Sequence, residues 1–226
     1  MFRLAIRLLL FLLCLAGVAA RAEVIGLGYP GANTAELDAR FDSVLKLHPD
    51  WVVIFAGAND ALNPQKFLAP DTSRKNLQDM LTRSHNAGVH VLVVSVHTPD
   101  LARLLQRHRP DEYGSAPPER RVAAFNRMLE RLAQQNNIGL VDFNRTMHAN
   151  GGPSTALSTD GLHLTRAGYA LLASAVRAKL PANLPASAKV VCFGDSLTYG
   201  IGVRAPGSAT ESDDTYPAQL RALLRR

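Results

Sequence analysis

Cysteine is nearly absent from this chain of 226 residues: Cys14 and Cys192 are the only two. Cys14 lies in an N-terminal apolar run read below as a removable leader, so Cys192 is left as a single thiol and no internal disulfide can form. The setting Val190-Val-Cys192-Phe makes it a buried strand residue rather than a nucleophile. No apolar run reaches the roughly 20 residues needed to span a bilayer. No internal repeat is visible. Excess charge is also lacking, since three of the 25 basic residues lie in the leader and the remaining 22 face 19 acidic ones, taking the formal charge from +6 to +3. Nucleic-acid binding is not called for at that balance.

Arg3 and Arg7 precede the apolar run Leu8 to Ala20, and Ala20-Arg21-Ala22 has the small-x-small form of a cleavage site. Residues 1–22 therefore read as a secretory signal peptide, which predicts a periplasmic or secreted protein with no stable membrane span after cleavage. The rest, 23–226, is about 204 residues, enough for a single domain with a sizeable core.

Strands and helices alternate along that domain. Val24-Ile25 runs into Gly26-Leu-Gly28-Tyr-Pro-Gly31, and a helix follows, with Asn33 and Glu36 at capping-box spacing and Leu37, Phe41, Val44 and Leu45 on one face. Trp51 to Phe55 is a second strand ending in Ala56-Gly-Ala-Asn59-Asp60. A helix over about 72–87 leads to a third strand, Val89 to Val96, and then to a long segment from His97 to Pro118 expected to wall a site. A helix marked by Val122, Phe125, Leu129 and Leu132 precedes a fourth strand, Ile138 to Phe143. After a polar loop, a helix over 165–180 and a linker over 181–189, the fifth strand begins at Val190, and a last helix spans 215–225. This alternation predicts a parallel sheet covered on both faces.

The fifth strand stops abruptly at Gly194-Asp195-Ser196, presenting a hydroxyl at its carboxyl tip, where such sheets place their chemistry. A nucleophilic serine needs a base, an orienting acid and oxyanion donors. Asp160-Gly-Leu-His163 can supply the first two from one turn; His97, at a strand end, is a rival base without an acid at comparable spacing. Asn59, after the second strand, can aim its carboxamide over the sheet edge. Gly31, after the first, can bring its N–H close, and the Ser196 N–H is a third donor.

With these blocks assembled, the chain resembles the SGNH hydrolases, the GDSL-type esterase and lipase superfamily. The match lies in Gly194-Asp-Ser196-Leu197, Gly28-Tyr-Pro-Gly31 with Thr34, Gly57-Ala-Asn59-Asp60 and Asp160-Gly-Leu-His163. The resemblance implies Ser196 as nucleophile, His163 as base, Asp160 behind it, and Gly31, Asn59 and Ser196 as the oxyanion hole, with neither metal nor organic cofactor. It implies a three-layer α/β/α sandwich with a flavodoxin-like, five-stranded parallel sheet in the order 1-5-2-3-4. Two features depart from the family. The serine block comes last instead of first, which reads as a circular permutation with 181–189 bridging the former ends and with Glu23 near Arg226. Gly26 stands where the family often has Asn.

The function expected is a serine carboxylic-ester hydrolase for a small-molecule or polysaccharide ester with a short acyl group. A lysophospholipase, thioesterase or acyltransferase could use the same groups, and a non-enzymatic module binding acylated glycans or lipids could keep the fold. Gly26-x-Gly28-x-x-Gly31 also fits a dinucleotide-binding turn, but the second strand ends in Ala-Gly-Ala-Asn, with no acidic residue for a ribose.

Overall fold

The computed structural model describes residues 21–225. The leader reading up to residue 20, Cys14 and the expected approach of Arg226 to Glu23 fall outside that range. Five strands form one parallel sheet: β1 (Glu23–Gly28), β2 (Trp51–Phe55), β3 (His90–Val94), β4 (Gly139–Val141) and β5 (Lys189–Gly194), in the spatial order β1-β5-β2-β3-β4. The order agrees with the one expected. Val190 to Gly194 are all buried, as befits a strand covered on both faces, whereas β1, at the edge, is only partly so. Phe193 meets Phe41 edge-on at 5.5 Å and Tyr29 at 6.0 Å. Burying a side chain of that size contributes about 2–3 kcal/mol.

Register decides where the loops open. Gly194 of β5 is level with Gly28 of β1 on one side and with Phe55 of β2 on the other. Residues just beyond these three therefore crowd one stretch of the sheet's carboxyl edge, although they are far apart in sequence.

The helices in chain order are α1 (Thr34–Asp38), α2 (Phe41–Leu45), α3 (Ala58–Leu62), α4 (Pro70–Asn86), α5 (Leu101–Leu104), α6 (Pro118–Gln135), α7 (Phe143–Ala149), α8 (Arg166–Arg177), α9 (Ser196–Tyr199) and α10 (Tyr216–Leu223). Within this set α4 packs on α1 and α6, and α8 on α7 and α10. Among the described residues no helix is long and apolar enough to cross a membrane.

Several boundaries differ from those expected. The single helix read across Leu37 to Leu45 is two, because tight turns closed by Arg40 N–H to the Leu37 carbonyl (2.9 Å) and Ser43 N–H to the Arg40 carbonyl (3.0 Å) replace regular helical pairing between them. The fourth strand ends early, since the Asp142 carboxylate caps α7 by accepting from Arg145 N–H at 3.0 Å. The short helices α3 and α9 follow directly on β2 and β5, where no helix was expected.

The last helix lies on the first strand. Arg221 donates from Nη2 (2.8 Å) and Nε (3.2 Å) to the Val24 carbonyl and also pairs with Glu211 at 2.8 Å. A Cβ on Gly26 would stand 2.9 Å from Glu211 Oε1 and 3.2 Å from Pro217, so a larger residue there would have to displace the Glu211 side chain and press on this helix.

Candidate active site

The strand tips assemble the site. Asp195 caps α9 by accepting from Leu197 N–H at 2.9 Å, which fixes Ser196 as the first residue of that helix. Ser196 Oγ lies 3.0 Å from His163 Nε2. His163 Nδ1–H donates to Asp160 Oδ2 at 2.7 Å, so Nε2 carries the lone pair facing the serine hydroxyl. The other carboxylate oxygen, Oδ1, accepts from the backbone N–H groups of Leu162 (3.0 Å) and His163 (2.8 Å), and the Asp-x-x-His segment is thereby folded into one turn. Burial alone would push the Asp160 carboxyl up, but the His163 bond and charge and these two N–H groups outweigh it and hold it well below the usual carboxylate range.

The turn is braced from outside. Arg103 Nε pairs with Asp100 at 2.9 Å, its Nη1 donates to the Ser158 carbonyl at 2.9 Å, and its Nη2 donates to the Pro153 carbonyl. Arg107 Nη1 reaches Asp160 Oδ2 itself at 2.8 Å. Neither arginine stood out in the sequence, because nothing local indicates that a helix near residue 101 will pack on a loop some 55 positions later.

Gly31 and Asn59 line the same cavity, about 300 Å³ in volume, as Ser196 and His163. Gly31 differs in detail from expectation. A Cβ there would touch nothing within 4 Å, so glycine is required by its φ of +79° and not by close approach; the tight position is Gly28, where a Cβ would stand 2.1 Å from the Tyr199 nitrogen. The N–H groups of Gly31 and Ser196 have no acceptor among the described residues. Asn59 Nδ2 donates to the Ala32 carbonyl at 3.0 Å, and its second proton faces Asp195 Oδ2 at 3.4 Å. Behind it, buried Asp60 accepts from Thr34 N–H (3.0 Å), Thr34 Oγ1 (2.5 Å) and Ser73 Oγ (2.7 Å), tying the loop after β1 to that after β2.

His97, the alternative base, does not line the cavity. It is fully buried, edge-on to Phe143 at 5.6 Å, and neither ring nitrogen meets hydrogen-bond geometry, although the Leu162 backbone is near. Burial pushes its imidazole down to about 4. Asp195, also fully buried, goes the other way: burial, helped by the charge of Asp60, pushes its carboxyl up to about 7.

These two groups oppose each other in acid. Native His97 stays neutral where an unfolded histidine, near 6.5, binds a proton, so its contribution to stability is lost as pH falls from 6.5 to 4. Native Asp195 holds a proton that the unfolded chain releases above 3.8, so its contribution grows as pH falls from 7 to 3.8. Each is worth several kcal/mol over its window, on the order of 3 for His97 and 4 for Asp195. Urea midpoints of the wild type should therefore change little between pH 7 and 4, those of His97→Leu should rise as pH falls, and those of Asp195→Asn should fall. Parallel profiles for all three proteins would refute this opposition.

A family model described as the GDSL-like lipase/acylhydrolase family matches residues 12–171. No curated protein matches the chain. Among solved structures, a lipase/acylhydrolase from Enterococcus faecalis is 28% identical over 65% of this chain and 69% of its own, with a TM-score of 0.54. A GDSL-like lipase from Bacteroides thetaiotaomicron is 23% identical over 66% of this chain and 70% of its own, with a TM-score of 0.55. An acetylxylan esterase from Geobacillus stearothermophilus, at 20% identity over 66% of this chain and 68% of its own, has a TM-score of 0.54 and is similar in fold. With the family model spanning well over half its length, on the sheet described above, the chain belongs to the GDSL-like lipase/acylhydrolase family, whose members are hydrolases of esters.

Proposed function

We propose that the protein hydrolyses short-chain carboxylic esters outside the cytoplasm, through an acyl-enzyme on Ser196. The observation that carries this reading is the line Ser196 Oγ, His163 Nε2, His163 Nδ1, Asp160 Oδ2, with contacts of 3.0 and 2.7 Å, opening on a cavity that holds unpaired N–H donors. His163 takes the Ser196 proton as Oγ attacks the ester carbonyl, and Asp160 offsets the charge on the imidazolium. The oxyanion is held by the N–H groups of Ser196 and Gly31 and by the Asn59 amide proton now resting against Asp195. The imidazolium then protonates the departing alcohol. Water, deprotonated in turn by His163, attacks the acyl-serine, and the carboxylic acid leaves with the serine restored.

A short acyl group is favoured by size, since about 300 Å³ is at the lower end of ligand cavities. The similar protein from Geobacillus stearothermophilus is an acetylxylan esterase, which favours acetyl esters, those on polysaccharides included. The signal-peptide reading of residues 1–22 supports action in the periplasm or outside the cell, by a domain of residues 23–226. Circular permutation accounts for a last strand lying between the first two, for Arg221 on Val24, and for a family match that ends at residue 171, before Ser196.

Initial rates on p-nitrophenyl esters from acetate to decanoate, with acetylated xylan beside them, test the proposal. Acetate and butyrate should be turned over at least ten times faster than decanoate; a preference for decanoate would exclude the short-chain reading. In the same assay, a chain opened between 181 and 188, with Arg226 joined to Glu23 by a short glycine-serine linker, should retain activity. Failure of that rejoined chain to fold would count against the permutation.

A further inference from the structure

The walls of the cavity are mixed: Asn59, Asn63, His108, His163 and Ser196 are polar, and the remainder, Arg107 apart, is apolar or glycine. Pro30, Ala58, Leu62, Leu162 and Ile201 line it, no carboxylate does, and Arg107 is its one permanently charged lining residue. His108, beside it, has its imidazole pushed below the ordinary value by burial and by the neighbouring Arg107, so at neutral pH the cationic character comes from Arg107. Only part of that guanidinium is engaged. Nη1 bonds Asp160 Oδ2 at 2.8 Å and lies 3.5 Å from His163 Nδ1, whereas Nε and Nη2 have no acceptor among the described residues, and the side chain is 36% exposed.

A planar guanidinium fixed at one nitrogen keeps the others in a rigid fork, the geometry that accepts a carboxylate or a phosphate through paired hydrogen bonds. The apolar residues among the walls strengthen such a contact relative to open water. The contact with Asp160 places this fork on the Nδ1 side of His163, in the cavity that Ser196 also lines. The other donors lining the cavity, Gly31, Asn59 and Ser196, are assigned to the ester oxyanion, and Asp160, already paired with Nη1, offsets part of the guanidinium charge, so the free edge of Arg107 is what remains for a second anionic group.

We propose that Arg107 makes the enzyme selective for esters bearing an anionic group, a carboxylate or a phosphate monoester, close to the scissile bond. This rests on the reading of Ser196 as nucleophile. The anion occupies the free edge of the guanidinium while the ester carbonyl lies over Ser196, so charge recognition and reaction are set within one small molecule's length.

The test compares kcat/KM for 4-acetoxybenzoate, 4-acetoxyphenyl phosphate and uncharged methyl 4-acetoxybenzoate, each divided by its rate with hydroxide, in wild type, Arg107→Gln and Arg107→Lys. Wild type should favour at least one anionic ester over the neutral one by tenfold or more, and the better anion identifies the group. Arg107→Gln should bring the ratio to near unity, with Arg107→Lys in between. In wild type alone, 4-hydroxybenzoate or 4-hydroxyphenyl phosphate should inhibit better than methyl 4-hydroxybenzoate, a readout independent of how the variants fold. Equal losses on all three esters in Arg107→Gln would mean that the arginine acts only through Asp160 and would overturn the proposal, as would an unchanged ratio. Hydrolysis of the neutral ester that persists undiminished in Ser196→Ala would overturn the nucleophile reading and this proposal together.

Discussion

Ser196→Ala should lower kcat on p-nitrophenyl acetate by at least about 10⁴-fold, and by as much as about 10⁶-fold, while leaving the melting temperature within a few degrees of wild type. The large loss follows from the proposed covalent step. Without Oγ no acyl-enzyme forms, and only the oxyanion donors and binding remain to help a water molecule attack directly. The small thermal effect follows from how little else the hydroxyl does: its bond is to His163, and the cap that fixes α9 comes from Asp195. Mass spectrometry of the wild type after treatment with a p-nitrophenyl phosphonate should find the adduct on the peptide carrying Ser196 and on no other. A variant that retained more than one part in a hundred of wild-type kcat would remove the covalent mechanism.

Asp160→Asn is the second substitution with a large expected effect, about 10⁴-fold on kcat at neutral pH. The carboxylate receives four donors, two on each oxygen: Leu162 N–H and His163 N–H on Oδ1, and His163 Nδ1–H and Arg107 Nη1 on Oδ2. An amide cannot accept at both ends. Whichever way it turns, an NH₂ group faces donors on one side, so the turn loosens or the imidazole switches to the tautomer that carries its proton toward Ser196. Because Asp160 is held far below the ordinary carboxylate range, it stays ionised through the working pH and is available to orient the imidazole throughout. A loss below tenfold in Asp160→Asn would contradict the role assigned to this carboxylate.

Much of the fold was legible because its signals are local. Apolar runs ending in glycine located β1, β2 and β5, and placing Ser196 between Gly31 and Asn59 required β5 to lie between β1 and β2, as it does. The short helices were not legible. The five residues of α3 and the four of α9 are too few for a periodic face, and segments of that length form only where caps and packing hold them. Asp142 read as the interior of a strand because a helix cap and a strand residue differ by the partner found in space.

The site divides in the same way. Ser196, His163, Asp160, Asn59 and Gly31 belong to short blocks that mark a site only as a set, and their meeting followed from the strand order. Arg103 and Arg107 belong to no block. Their importance comes from packing between a segment near residue 105 and a turn near residue 160, which residue spacing does not encode. The opposite shifts of His97 and Asp195 arise from complete burial, and burial is a property of the folded whole.

The place of β5 also bears on how the protein is made. Its neighbours β1 and β2 do not pair with each other; each is hydrogen-bonded to a strand translated after all the other strands of the sheet. Until residues 189–194 are made, β1 has no partner strand and β2 lacks one of its two, and closure of the sheet depends on contacts between distant parts of the sequence, which form slowly. Any chain that terminates before residue 189 lacks the middle of its own scaffold, so quality control by proteolysis would discard truncated products without having to inspect their chemistry.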